Sequence, residues 1–236
     1  MMRALVLVAV LVVLGLPAAL VYLPLAALTG NATPLYNIAL RIVRVALRLA
    51  GIRVQVNGLK NIPPHTACIF MANHVSNLDP PALLPCIPGR TSAFLKSSLM
   101  RIPILGFGFR LAEFVPVSRD GRQESAIESV RVARTVLDKG LHITTFVEGT
   151  RSPDGQLLPF KKGPFYLAME AGAPCIPVTI HGTGSMMPKG SLRVRRGTAH
   201  ILFHPPVQPS SFASRDELML AVRKAIASGL PASMRN

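Results

Sequence analysis

The stretch MANHVSNLDPP, Met71 to Pro81, holds the residues whose types and spacing could do chemistry. His74 precedes a carboxylate, Asp79, by five positions. A histidine can take a proton from a hydroxyl if a second group fixes its tautomer and stabilises the imidazolium that forms. Asp79 can act as that group, with a substrate hydroxyl as the nucleophile. Alternatively, Asp79 caps a helix and His74 is an ordinary loop histidine, and the H-x-x-x-x-D spacing alone does not decide between the two.

A second cluster, FVEGTRS, places Glu148, Thr150 and Arg151 around Gly149. A guanidinium, a hydroxyl and exposed backbone amides are groups that bind a phosphate. Glu148 can hold Arg151 or another base in position. The other reading is a solvated turn with a surface ion pair.

The elements that must position these residues follow from hydrophobic periodicity after Gly51. Short apolar segments alternate with helical patterns, which predicts an α/β fold with a largely parallel central sheet flanked by helices. We expect strands near Arg53–Val56, Ala67–Met71, Ser92–Leu95, Glu113–Val117, Ile143–Val147, Cys175–Ile180 and Ala199–Phe203. We expect helices near Pro80–Leu84, Gln123–Leu137, Pro164–Ala171 and Arg215–Ala227.

Polar clusters follow four of the predicted strands. Besides His74 and the Glu148 cluster, Lys96 follows the third strand and Arg119 follows the fourth. The carboxyl ends of parallel strands meet at one edge of a sheet, so we expect all four clusters to face a shared cleft.

The amino terminus predicts a membrane anchor. Residues Ala4–Leu28 carry no charge, and a helix of that length could cross a bilayer core of about 30 Å, although Pro17 and Pro24 invite kinks. A secretory signal peptide is the alternative. The next segment, Leu35–Ala50, predicts a basic amphipathic helix that lies at a membrane interface or packs on the domain. Its apolar stripe is Leu35, Ile38, Ile42, Val45 and Leu49, and its basic stripe is Arg41, Arg44 and Arg48.

The composition of the chain indicates which class of molecule it binds. Lys and Arg number 26 against 11 Asp and Glu, a formal charge of +15, which indicates an anionic partner. Three tyrosines, no tryptophan and a mean hydropathy of +0.40 argue for lipid rather than nucleic acid. The three widely spaced cysteines predict buried reduced thiols, and no histidine or cysteine spacing predicts a metal site.

The motifs NHVSNLD, VPVSRDGR, FVEGTRSPDGQLLPFKKG and CIPVTIHG resemble, in order and spacing, the four blocks of the 1-acylglycerol-3-phosphate acyltransferase family. The resemblance implies acyl transfer from acyl-CoA or acyl-carrier protein to the sn-2 hydroxyl of lysophosphatidic acid, giving phosphatidic acid, with no cofactor. It implies that His74 is the base and Asp79 its orienter. By the same resemblance, the acceptor phosphate is bound by Lys96, Arg119, Glu148, Gly149, Thr150 and Arg151.

The resemblance also implies an organisation and a location. Residues 1–50 would form a two-helix membrane-anchoring motif and residues 51–236 the acyltransferase domain, at the cell membrane on its cytoplasmic face. One departure is that Ser118 stands where the second block usually has an acid before Arg119. Two alternatives stay open: an acyltransferase for another lysolipid or glycerol-3-phosphate, and a non-catalytic membrane-bound binder of anionic lipids.

Overall fold

Every segment in which the sequence predicts a strand contains one in the computed structural model, which describes residues 2–117 and 123–235. The strands are Ile52–Asn57 (β1), Ile69–Ala72 (β2), Thr91–Lys96 (β3), Val115–Val117 (β4), His142–Phe146 (β5), Cys175–His181 (β6) and Gly197–Phe203 (β7). The α-helices are Met2–Thr29 (α1), Thr33–Leu49 (α2), Asp79–Leu83 (α3), Leu105–Leu111 (α4), Gln123–Asp138 (α5), Gly163–Ala171 (α6), Thr183–Met186 (α7) and Arg215–Gly229 (α8). Short 3₁₀ turns join several of these elements.

The strands form one sheet in the order β1-β7-β6-β2-β5-β3-β4. Strands β6, β2, β5, β3 and β4 are mutually parallel, whereas β7 pairs antiparallel with β6 and parallel with β1. The expected largely parallel sheet is therefore confirmed. The carboxyl ends of its five parallel strands share one edge, together with the first residues of β1 and β7.

Helices cover both faces of the sheet because its central strands are apolar on both sides. All four residues of β2 are buried, and they alternate between the two layers. Phe70 packs in the layer beneath α2 and α3, whereas Ile69 and Met71 pack in the layer beneath α5, α6 and α8. Phe70 is among the largest fully buried side chains, so its truncation to alanine should cost about 3–5 kcal/mol.

Helix α1 is continuous through Pro17 and Pro24 and is long and apolar enough to cross a membrane. It nevertheless contacts the domain near both of its ends. At its start, Ala4 and Leu7 pack against the core and Arg3 donates a 2.9 Å hydrogen bond to the Ala50 carbonyl; towards its end, the helix contacts α4. These contacts indicate that α1 lies along the domain. The exposed fractions of Leu5 and Leu20 are 65% and 78%, so its outer face is apolar.

Helix α2 confirms the predicted basic stripe, because Arg41, Arg44 and Arg48 are all exposed. The face that packs on the domain is shifted from the predicted apolar stripe. It is formed by Tyr36, Ile42, Ala46 and Leu47, and small residues such as Ala46 allow the helix to approach the sheet closely. Val45 and Leu49 of the predicted stripe are 38% and 61% exposed and add to the apolar surface.

Helix α4 was not predicted from the sequence, where two glycines within LGFGFRL disfavour a helix. The first of these glycines, Gly106, is required by packing, because an added Cβ would collide with the Met100 carbonyl. The segment before and within α4 exposes Ile102, Ile104 and Phe107. Since α1 contacts α4, this apolar surface adjoins that of α1.

Candidate active site

Asn73 anchors the loop that follows β2. Its amide donates a 2.9 Å hydrogen bond to the Ile180 carbonyl and accepts a 2.7 Å bond from the Ile180 N–H. The side chain is fully buried, so this reciprocal pair replaces the backbone pairing that β2 loses where the chain turns away from β6. The next residue, His74, therefore starts from a fixed backbone position.

His74 and Asp79 are in direct contact, as required for a base and its orienter. The His74 Nδ1 and the Asp79 Oδ2 lie 2.7 Å apart. The same Oδ2 accepts hydrogen bonds of 2.7 Å and 2.8 Å from the N–H groups of Val75 and Ser76. The carboxylate is fully buried and makes no capping bond to α3, although it lies in the first turn of that helix. These three contacts fix the position of the Asp79 Oδ2 next to the imidazole.

The imidazole ring is held from a second direction. It stacks on Phe146 at the end of β5, with ring centroids 4.2 Å apart and an interplanar angle of 26°. Because a carboxylate accepts at Nδ1, the neutral ring carries its proton there and leaves a lone pair on Nε2. Nε2 makes no hydrogen bond to residues 2–117 or 123–235, and 16% of the side chain is exposed. The arrangement presents a base to the cleft.

The Glu148 side chain points into the protein and not into the cleft where a phosphate contact was predicted. Only 1% of this residue is exposed, and its two carboxylate oxygens accept hydrogen bonds of 2.7 Å from the His74 N–H and 2.9 Å from the Leu158 N–H. Burial raises the pKa of Glu148, and the bonds from His74 and Leu158 oppose that shift. A buried acid facing two N–H groups is poorly placed to contact an anionic phosphate. We infer that Glu148 positions His74, and its contact with the substrate phosphate stays an untested prediction.

The rest of this loop is open to the cleft. Gly149 and Thr150 are exposed, and Gly149 has a φ of +69°, a left-handed conformation that glycine adopts without strain. The backbone N–H groups of Thr150 and Arg151 have no hydrogen-bond partner within the described residues. The Lys189 ammonium donates a 2.8 Å bond to the Arg151 carbonyl. Lys189 was not identified from the sequence, because it follows Arg151 by 38 residues in an unpatterned loop.

Lys96 lies where the sequence predicts, as the last and exposed residue of β3. Strand β5 separates β3 from β2, so Lys96 and the His74 loop follow strands about 10 Å apart at the same edge of the sheet. Arg119 and Ser118 fall outside the described residues. The phosphate-binding roles of Lys96, Arg119, Gly149, Thr150 and Arg151 remain predictions.

The cysteines carry no chemistry at this edge. Burial raises the pKa of the Cys68 thiol to about 11 and of the Cys175 thiol to about 12, which keeps both protonated at neutral pH. All three cysteines are free thiols. Within the parts of the chain that the structure describes, no group of three His, Cys, Asp or Glu side chains could hold a metal ion.

Comparison with known proteins agrees with this architecture. The chain is 28% identical to the 1-acyl-sn-glycerophosphate acyltransferase PlsC from Thermotoga maritima, whose crystal structure it matches with a TM-score of 0.80 over 97% of this chain and 93% of that one. It is 36% identical over 162 residues to the chloroplastic 1-acyl-sn-glycerol-3-phosphate acyltransferase BAT2 of Brassica napus, covering 67% of this chain and 46% of the relative. It is 31% identical over 175 residues to the human 1-acyl-sn-glycerol-3-phosphate acyltransferase alpha, covering 74% and 62%.

The chain spans about half the length of the chloroplastic relatives from Brassica napus and Arabidopsis thaliana and of the relative from Chlamydomonas reinhardtii. A model of the acyltransferase family matches residues 53–181, which run from β1 to the end of β6 and include the His74 loop and the Glu148 loop. This chain therefore belongs to the acyltransferase family.

Proposed function

We propose that this chain transfers a fatty acyl group from a thioester donor, acyl-CoA or acyl-carrier protein, to the sn-2 hydroxyl of 1-acylglycerol-3-phosphate, giving phosphatidic acid. The observation that carries the proposal is the 2.7 Å contact between His74 Nδ1 and the buried Asp79 carboxylate. A binding protein for anionic lipids would need neither residue. The relatives named above carry this acyltransferase activity in their names, which supports the same acceptor class here.

The geometry supports a general-base mechanism. His74 Nε2 takes the proton of the acceptor hydroxyl as its oxygen attacks the thioester carbonyl carbon. Asp79 stabilises the imidazolium that forms. The tetrahedral intermediate then collapses, the carbon–sulfur bond breaks, and the imidazolium returns its proton to the departing thiolate. An ester and a free thiol are the products, with no change in oxidation state and no cofactor.

The charge of the cleft suits an acceptor that carries a phosphate. The Arg151 guanidinium and the free N–H groups of Thr150 and Arg151 lie on the loop after β5, next to the His74 loop after β2. Lys96 and Lys189 add two ammonium groups at the same edge. Charge-assisted bonds from such groups hold a phosphate in a fixed orientation, and Arg119 would add to them.

The apolar surface suits an acceptor whose acyl chain lies in a bilayer. Helix α1 exposes Leu5, Leu20 and other large apolar residues, and the α4 segment extends that surface. We infer that α1 lies in one leaflet of the cell membrane and that the domain stands on the cytoplasmic side. The lysolipid would then reach the cleft without leaving the membrane.

An acceptor panel tests the proposal. Purified protein in mixed micelles is given labelled acyl-CoA or acyl-carrier protein with lysophosphatidic acid, lysophosphatidylcholine, lysophosphatidylglycerol or glycerol-3-phosphate. Labelled phosphatidic acid should form at the highest rate. A preference for another acceptor would replace the substrate but not the reaction, and the absence of acyl transfer to every acceptor would refute the proposed enzyme.

A further inference from the structure

A groove beside the carboxyl end of α2 is lined by arginines that the proposed reaction does not use. Its volume is about 1120 Å³, and its walls come from α1, α2, most of β1, the first residues of β7, and the segment that includes and follows α3. None of the described residues that line it is acidic. Its arginines are Arg3, Arg44, Arg48, Arg53 and Arg196, and we call it the arginine groove.

Within residues 2–117 and 123–235, no carboxylate neutralises the positive charge of the arginine groove. The first 112 residues hold ten Lys and Arg but a single acid, Asp79. Asp79 is buried and contacts His74. Arg196 comes from a segment that also lacks acids, between Glu170 and Asp216. Clustered guanidinium groups repel each other, so a folded chain that keeps them together without carboxylates fits a site for an external anion.

Two of these arginines are held in place by the backbone. Arg3 donates to the Ala50 carbonyl at 2.9 Å, and Arg44 donates to the Pro85 carbonyl. The other three, Arg48, Arg53 and Arg196, are exposed, and their side chains make no hydrogen bond or ion pair with residues 2–117 or 123–235. Their donors are therefore available to phosphate oxygens, which guanidinium groups bind with two parallel N–H contacts.

The rim of the arginine groove indicates which kind of phosphate it binds. Arg3 is flanked on α1 by Met2 and Leu5, which are 76% and 65% exposed, and Arg48 is followed by Leu49, which is 61% exposed. Apolar side chains beside an anion site match a ligand with a phosphate and acyl chains. We propose that the arginine groove binds the phosphate headgroup of an anionic phospholipid of the bilayer, whose chains lie along this apolar rim.

This site is separate from the acceptor phosphate of the proposed reaction. The arginine groove lies at β1 and β7, whereas Lys96 and Arg151 follow β3 and β5 on the far side of β2. The two are linked through α3, because Ala82 lines the groove and Asp79 begins the same helix, less than one turn away. A bound lipid therefore contacts the short helix that carries Asp79, and it sets how the domain stands on the bilayer.

The test compares two triple variants that remove the same formal charge. The groove variant carries Arg48→Gln, Arg53→Gln and Arg196→Gln. The control variant carries Arg131→Gln, Arg134→Gln and Arg215→Gln, on α5 and α8, on the opposite face of the sheet. Flotation with phosphatidylcholine vesicles, with and without phosphatidylglycerol, measures membrane affinity. Thermal unfolding confirms that both variants are folded.

We expect the groove variant to lose about tenfold or more of its affinity for the anionic vesicles, because three basic side chains that face the anionic surface are removed. The control variant should change less than about twofold, and binding to pure phosphatidylcholine should be equal in all three proteins. Calorimetry with inorganic phosphate and with coenzyme A separates a lipid from a soluble phosphate, and neither titration should differ between the wild type and the groove variant.

Three results would overturn the proposal. Equal losses in the groove and control variants would assign the effect to net charge alone. Unchanged vesicle binding in the groove variant would remove the site. Loss of coenzyme A or phosphate binding with vesicle binding retained would assign the groove to a soluble ligand. Because every readout is binding, these results do not depend on whether the proposed acyl transfer is correct.

Discussion

Replacing Glu148 by glutamine separates the role that the structure gives this residue from the one predicted from the sequence. The carboxylate accepts hydrogen bonds from the N–H groups of His74 and Leu158. Glutamine has nearly the same shape but only one acceptor, so its NH₂ group must face one of those two N–H groups. Glu148→Gln therefore breaks one bond and leaves a buried N–H without a partner.

The expected loss in kcat follows from the single hydrogen bond that Glu148→Gln breaks. A hydrogen bond to a buried charged acceptor contributes about 1.5–3 kcal/mol. If the imidazole shifts as the His74 backbone is released, a loss of this size in the transition state lowers kcat by about 10- to 100-fold. The KM for the lysolipid should change less than about threefold, since Glu148 does not face the cleft. Asp154→Asn is the matched control, because Asp154 lies in the same loop but is exposed, and it should keep near-normal kcat.

The pH dependence of stability gives an independent readout. Burial raises the pKa of Glu148, so the native state holds this proton more tightly than the unfolded chain does. The stability that this group contributes is therefore largest at acid pH and declines as the pH rises through the raised pKa. The stability of the wild type relative to Glu148→Gln should increase as the pH falls from about 7 towards about 5 in denaturant titrations.

Steady-state kinetics with lysolipid and acyl donor varied separately is the deciding assay. A lowered kcat with unchanged KM supports positioning of His74. A KM for the lysolipid raised more than about tenfold, with kcat retained, would refute the reasoning and restore the phosphate contact.

The other predictions concern the phosphate site, the membrane face and the thiols. Arg151→Ala should raise the KM for the lysolipid by about 10-fold or more and leave the KM for the acyl donor nearly unchanged, because a charge-assisted bond to phosphate is lost; equal effects on both would contradict this. Leu5→Glu with Leu20→Glu should release the protein from vesicles in flotation while its thermal unfolding stays unchanged, because both side chains are exposed; undiminished vesicle binding would contradict the membrane-facing role of α1. Cys68 and Cys175 should resist a thiol reagent in the native protein and react once it is unfolded, since their thiols are buried; rapid native labelling would contradict that burial.

Hydrophobic periodicity was enough to predict the sheet and most of the helices. Strand β2 is an unbroken apolar run and α5 has a clear apolar stripe, so both patterns follow directly from burial. Periodicity does not encode strand direction, and the reversal of β7 depends on its hairpin-like pairing with β6. Helix α4 escaped prediction because the close approach of Gly106 to the Met100 carbonyl is a tertiary contact.

The residues of the candidate site also fall into those that the sequence predicted and those that only the fold reveals. His74 and Asp79 were predictable because they lie near each other in the chain and follow a buried strand. The role of Glu148 was not, because only the fold shows that its carboxylate points inward to the backbone of a residue 74 positions earlier. Lys189 was missed for the same reason, since its contact with Arg151 exists only after β6 and its loop have folded.

The central claim is that His74, held by Asp79, removes the proton of the acceptor hydroxyl. The most direct test is the initial rate of acyl transfer for His74→Asn, whose amide can still donate to Asp79 and preserve the loop. His65→Asn is the matched control, because His65 lies on an exposed loop and its φ of +56° suits asparagine. We predict that folded, membrane-bound His74→Asn loses about 10²–10⁴-fold in rate while the control is unchanged. A near-normal rate for His74→Asn would contradict the mechanism.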